Sequence, residues 1–190
     1  MKKILIIFAV GFIVGPIGDF YHVHTGTTTY PPEIYGFYFL GLPFWVPLLF
    51  GGAALAVGLS HPSFDQMLGP KHRRPGAQSL SRVLIGLVFF LGAYILSGYL
   101  PVSFGWHNDL ILALLAIVAW ALLDWTWQGL VLGALTAIAG TAAEIILVHL
   151  GIFSYLPPRN TLLGVAPWLP WLYFNASVAV GNLGRSLSRS

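Results

Sequence analysis

No cysteine occurs anywhere in the chain. Its absence excludes a disulfide framework, a Cys-ligated zinc or iron–sulfur centre and a thiol nucleophile, and it leaves the redox compartment unread. Charge is nearly as scarce. Nine Lys and Arg and six Asp and Glu make up 8% of the 190 residues, where a soluble domain carries about 25%. So few charges cannot cover the surface of a water-soluble globule of this size, whereas an exterior facing lipid needs none. GxSxG, SxxK and HExxH motifs are also missing, and no two carboxylates share a motif, which removes the common signatures of nucleophilic and metal-dependent hydrolysis. No fixed-period repeat is present, unlike the plan of inverted-repeat transporters.

What the sequence has in excess is apolar residues, 57% of the chain with a mean hydropathy of +0.80. Six spans of about 20 residues use roughly 120 residues and leave about 70 for loops and tails, so the composition predicts an all-α, polytopic six-transmembrane-helix bundle forming a single domain over 1–190. Met1-Lys2-Lys3 precedes an apolar run without a small-x-small cleavage site, which reads as an uncleaved first helix reaching about Tyr21 and kinked or ended near Pro16. The second helix is expected over Ile34 to His61, bent or broken at Pro43 and Pro47. The third runs over Leu80 to Leu100, the fourth over Asp109 to Leu123, the fifth over Gly129 to Leu150 and the sixth over Trp168 to Leu183.

Six spans put both termini on one side together with the loops after helices two and four. Lys2, Lys3, Lys71, Arg73, Arg74, Arg82, Arg185 and Arg189 fall there, and Arg159 alone lies opposite. The positive-inside rule therefore places both termini in the cytoplasm. This distribution accounts for the net charge of +3 without a nucleic-acid partner, since the basic residues are few and confined to loops and tails.

Glu144 stands in an otherwise apolar fifth helix. An ionisable group at that depth costs a few kcal/mol to insert, so it should face the bundle interior, uncharged, either lining a cavity or serving as a hydrogen bond between helices. Asp124 closes the fourth helix, where a carboxylate opposes the helix dipole, a weak anomaly. Of six histidines only His22 and His24 form a close pair, too few for a zinc site, so no metal and no cofactor are expected. Gly11-x-x-x-Gly15 and Gly129-x-x-x-Gly133 permit close helix approach and suit a homo-oligomer. A small membrane enzyme or proton-coupled carrier using Glu144, His107 and Asp124 is the rival to a binding protein. The lone charge at depth and the missing repeat favour the binding protein, which is not an enzyme.

Three stretches point to a family. They are Phe44-Trp45-Val46-Pro47 continuing to Gly58-Leu59-Ser60-His61-Pro62 and Asp65, then Val148-His149-Leu150-Gly151-Ile152-Phe153-Ser154-Tyr155, then Trp168-Leu169-Pro170 ending in Gly181-Asn182-Leu183-Gly184-Arg185. Over about residues 40 to 187 the chain resembles the Insig family, six-helix proteins that in eukaryotes reside in the endoplasmic reticulum and retain Scap or target HMG-CoA reductase when oxysterol is bound. The resemblance implies a lipid pocket enclosed mainly by helices one to five. Its positions fall on Phe90, on His107 where eukaryotic members have Gln, and on Trp120. It matches Asp124 to an Asp needed for binding a partner membrane protein, and Glu144 replaces an uncharged polar residue. Short tails and absent cysteines resemble a prokaryotic member in the cell (inner) membrane. For such a member the resemblance implies a neutral lipid, diacylglycerol rather than an oxysterol, held at Phe90, His107, Trp120 and Glu144, and a trimeric homo-oligomer.

Overall fold

The computed structural model describes residues 1–31, 38–68 and 79–188. Among the described residues, five helices are long and apolar enough to cross a bilayer: α1 Lys2–His24, α2 Val46–Leu68, α3 Leu80–Tyr99, α4 Trp106–Ala119 with its extension to Asp124, and α5 Trp127–His149. The sixth, α6 Leu169–Leu187, is the axis of the bundle. It contacts each of the other five, and its stretch from Ser177 to Arg185 is buried throughout. A helix shielded from lipid on every side can carry Asn175, Ser177, Asn182 and Arg185, which is why it is less apolar than its neighbours.

Several expected boundaries move, each for a local reason. Pro16 does not end α1, which runs on to His24. The second helix begins at Val46 rather than at Ile34, since Pro43 lies in the short strand β3 (Leu42–Pro43) and Pro47 takes a first-turn position where its missing N–H costs nothing. Ile34 itself lies outside the described residues, as do Lys71, Arg73, Arg74 and Arg189 of the charge count. Pro62 does sit inside α2. It frees the carbonyl of Gly58 four residues back, and α6 settles there with Gly184, whose missing side chain would collide with that oxygen. The small-residue spacings permit close helix approach, but within one chain rather than between copies: a Cβ on Gly11 would lie 2.5 Å from the Phe50 carbonyl oxygen of α2, and one on Gly133 2.7 Å from the Phe174 ring of α6.

Connections fix which ends share a side. Strand β1 (Thr28–Thr29), after α1, pairs antiparallel with β4 (Ser154–Tyr155), after α5, with Thr28 opposite Tyr155. A second short pair joins β2 (Tyr38–Phe39) to β3. The Arg159 guanidinium, beyond β4, donates to the Gly98 and Leu100 carbonyls at 3.2 Å, closing the last turn of α3. The loops after α1, α3 and α5 thus share one end of the bundle. At the other end Arg185 of α6 reaches Asp65 of α2 and Asp124 after α4, while Arg82 of α3 donates to the Leu122 carbonyl. Both termini belong to that second end.

Candidate functional site

Helices α1, α2, α3, α5 and α6 enclose an apolar cavity of about 400 Å³. Aromatic and aliphatic side chains make most of the wall, among them Val14, Phe50, Leu87, Phe90 and Leu172. Ala53 and Ala56 of α2 and Leu135 and Ala139 of α5 both line the cavity and are exposed, so the mouth lies between α2 and α5 and opens sideways. Helix α4 contributes nothing to the wall. It packs through Ala116, Ala119 and Leu123 against Phe174 and Val178, on another side of α6. The expected enclosure by helices one to five is therefore corrected, with α6 taking the place of α4.

One end of the cavity is polar. Glu144 lines it, six residues beyond the centre of α5, toward the β1–β4 end. Each carboxyl oxygen accepts a tyrosine hydroxyl: Tyr173 of α6 donates to Oε1 at 2.5 Å and Tyr155 of β4 to Oε2 at 2.7 Å. The strand pairing is what brings Tyr155 over the end of α5. Burial first and the neighbouring Glu144 second push the Tyr155 hydroxyl well above its ordinary value, so it remains a donor at any physiological pH. Tyr94 of α3 also lines the cavity, its ring against His22, Phe50 and Phe90, and its hydroxyl has no hydrogen-bond partner among the described residues. Behind this end, Asp19 accepts the Tyr30 hydroxyl at 2.5 Å. Tyr30, in the loop after α1, is held protonated by its burial and by Asp19.

The sequence-predicted residues divide. Phe90 and Glu144 are in the cavity wall. His107 is not: it is exposed in the first turn of α4, with its Nδ1 2.8 Å from the Phe104 carbonyl and its ring stacked on Trp106. Trp120 is not either, because α4 lies away from the cavity. Its Nε1 donates to the Thr126 carbonyl at 2.9 Å and its ring meets Trp125 at 4.9 Å, fastening the turn into α5. Asp124 ends a π-helical turn, Trp120–Asp124, that Trp125 closes in the left-handed conformation with φ 53°. It is 1% exposed, one oxygen bound to Arg185 Nη1 at 2.7 Å and the other to the Thr126 hydroxyl at 2.6 Å. This buried pairing removes the anomaly of a carboxylate at a helix C-terminus. Glu144, His107 and Asp124 do not converge.

Asp19, Tyr94, Tyr155 and Tyr173 were not anticipated as site residues. Asp19 follows Gly15-Pro16-Ile17-Gly18, which reads as a helix end, and a tyrosine among apolar residues gives no signal of the hydroxyl's target. The buried His22 and Ser97, 2.8 Å apart, do not make a nucleophile, because Ser97 donates its proton to the Tyr94 carbonyl at 2.7 Å. Among the described residues no group of three or more His, Asp or Glu is placed to hold a metal ion.

Membrane-crossing helices around a polar central helix, with a laterally open cavity ending in a tyrosine-bound carboxyl, define a multi-pass helical membrane protein with an intramembrane cavity. The family model described as Insulin-induced protein (INSIG) matches residues 2–188, and the chain belongs to that family. It is 31% identical over 188 residues to the insulin-induced gene 1 protein of Danio rerio, covering 99% of this chain and 73% of that protein. The Homo sapiens protein of the same name is 30% identical, with 99% and 66% covered. Among solved structures, the mycobacterial Insig homolog MvINS from Mycobacterium vanbaalenii matches with a TM-score of 0.85 at 29% identity, over 100% of this chain and 96% of that one. A cross-linked MvINS trimer matches with the same TM-score at 30% identity.

Proposed function

We propose that the protein is a non-enzymatic, lipid-binding member of the Insig family, holding one neutral lipid in the cavity and regulating a partner membrane protein according to occupancy. The observation that carries this reading is the cavity's division into a long apolar wall and one polar end. An apolar volume of about 400 Å³ with few convergent polar groups has the character of a small-molecule site. Its polar end offers a carboxyl acceptor, Glu144, and an unengaged hydroxyl, Tyr94, which together suit a ligand bearing a hydroxyl. The chains of a diacylglycerol would leave through the mouth between α2 and α5, and a sterol-like ring system would lie along Phe90 and Leu172. A phospholipid headgroup would find no cation among the described residues of the wall and would lose its hydration there.

The chain acts as a homo-oligomer, with a trimer supported by the cross-linked MvINS assembly. Its place on this reading is the cell membrane of a prokaryote, and the distribution of Lys and Arg favours both termini in the cytoplasm. Native mass spectrometry of protein purified in a mild detergent tests the ligand: one neutral lipid per chain is expected. Bound cardiolipin in equal measure, or a chain that carries no lipid from any membrane, refutes it.

A further inference from the structure

We propose that Asp65, Arg185 and Asp124 form a clip that sets the separation of α2 and α5, the two edges of the cavity mouth, so that Asp124 is a positioning residue for the cavity rather than a contact for a partner. Arg185 is 2% exposed, and its five N–H groups meet five acceptors. Nε and Nη2 take the two oxygens of Asp65 at 2.8 and 3.0 Å. Nη1 takes Asp124 at 2.7 Å and Asn182 at 3.4 Å, and Nη2 also reaches the Thr126 hydroxyl oxygen at 3.3 Å. Asp124 is 1% exposed, with one oxygen on Arg185 and the other on Thr126, so a partner could not reach it without opening the cluster.

The clip ties specific elements. Asp65 lies in the last turns of α2, Arg185 in those of α6, and Thr126 is the N-cap of α5, its oxygen accepting the Gly129 N–H at 3.0 Å. The guanidinium thus fastens the foot of α5 to the foot of α2 through α6. Higher along the same two helices, Ala53 and Ala56 face Leu135 and Ala139 across the mouth. Prising α2 from α5 to admit a lipid must load the clip, and a clip that gives way must widen the mouth. Occupancy of the cavity and geometry of the α4–α5 turn are then linked, each changing the other by the same factor.

This inference rests on the lipid reading, and the test separates the two. The chain lacks cysteine, so Ser63→Cys with Leu130→Cys gives a spin-label pair across the feet of α2 and α5, and Phe104→Cys with Thr161→Cys gives a control at the opposite end. In phosphatidylcholine nanodiscs, dioleoylglycerol should shift the first pair and leave the second. Asp124→Asn and Arg185→Lys should each broaden the first pair and lower dioleoylglycerol retention by about tenfold, a usual size for coupling between linked sites. The double variant should add little, because either change opens the same clip. Unchanged retention in a variant whose control pair is intact overturns the proposal. So does an unchanged Ser63–Leu130 distance in Arg185→Lys, whether or not lipid binds. Should both variants disturb the control pair, Asp124→Glu decides: parental retention supports the clip, and loss with a parental Ser63–Leu130 distance overturns it. A parent chain that retains no dioleoylglycerol refutes the lipid reading alone.

Discussion

Replacing Glu144 distinguishes a carboxyl that organises the cavity's polar end from one that merely faces it. Two tyrosine hydroxyls end on its two oxygens. Glu144→Ala leaves both hydroxyls without an acceptor, and an orphaned buried hydroxyl costs about 1–3 kcal/mol, so the pair costs about 2–6 kcal/mol. The lower half of that range applies, because Tyr173 lines the cavity and part of the loss is recovered through solvent or lipid entering it. Glu144→Gln keeps one acceptor and puts an NH2 where the second stood. One tyrosine must then turn its hydroxyl round and accept, and the net cost falls to about 1 kcal/mol. Denaturation by SDS in mixed micelles measures both, with Tyr155→Phe as the third corner of a cycle against Glu144→Gln. A coupling near 1 kcal/mol is expected between residues sharing a hydrogen bond. Equal and negligible costs for Ala and Gln, with no coupling, would refute the assignment of the tyrosines to Glu144.

Phe90→Ala should weaken lipid retention severalfold by removing wall area, while Trp120→Ala and His107→Ala should leave it within about twofold, since neither lines the cavity; lipid retained per chain in native mass spectra reports all three. Reporter fusions after residues 1 and 190 should both read cytoplasmic, and an external residue 190 would overturn the six-span topology. Stability should be flat from neutral pH to about 9. Above about 10 it should fall, because Tyr155 has a raised pKa in the fold: its contribution is whole below the unfolded value of 10.0 and is lost as pH climbs toward the higher folded value. Tyr155→Phe should lessen that decline in a pH series of thermal unfolding, the remainder including the share of Tyr30, which is raised in the same direction by burial and Asp19.

Five of the helices were legible because apolar run length is a one-dimensional quantity, and α6, less apolar, was legible from its place between the Trp168-Leu169-Pro170 start and the Ser/Arg tail. The start of α2 was not. Pro43 and Pro47 signal interruption equally well inside a helix or at its beginning, and only the β2–β3 pair shows that the chain is still turning at Leu42. Glu144 could be picked out as the charge at depth, but its partners come from 11 and 29 residues away, beyond any local pattern. The clip is more remote still, with Arg185 and Asp65 separated by 120 residues. Arg185 was counted as a loop cation, and nothing in its neighbourhood distinguishes a solvated terminal arginine from the keystone of three helices. His107 and Trp120 were placed in the pocket by resemblance, and the position of α4 outside the cavity wall removes them.

The polar character of α6 follows from the same geometry. A helix touching lipid must be apolar on that face, because nothing there satisfies a polar group. A helix surrounded by five others is freed from that demand and bound by another, that each buried polar group find its partner in the protein. Ser177 meets His61 of α2 at 3.0 Å, Asn182 donates to the Leu123 carbonyl at 3.2 Å, and Arg185 is saturated by the clip. These bonds reach α2 and the α4–α5 turn, so they select one rotation and one depth of α6, which apolar contacts alone would leave degenerate. Removing one partner of the buried charge cluster strands the others at a cost of several kcal/mol. The same three residues that make α6 a weak membrane segment by hydropathy, Ser177, Asn182 and Arg185, therefore make it the element that fixes how the lipid-facing helices, and the cavity between them, are set.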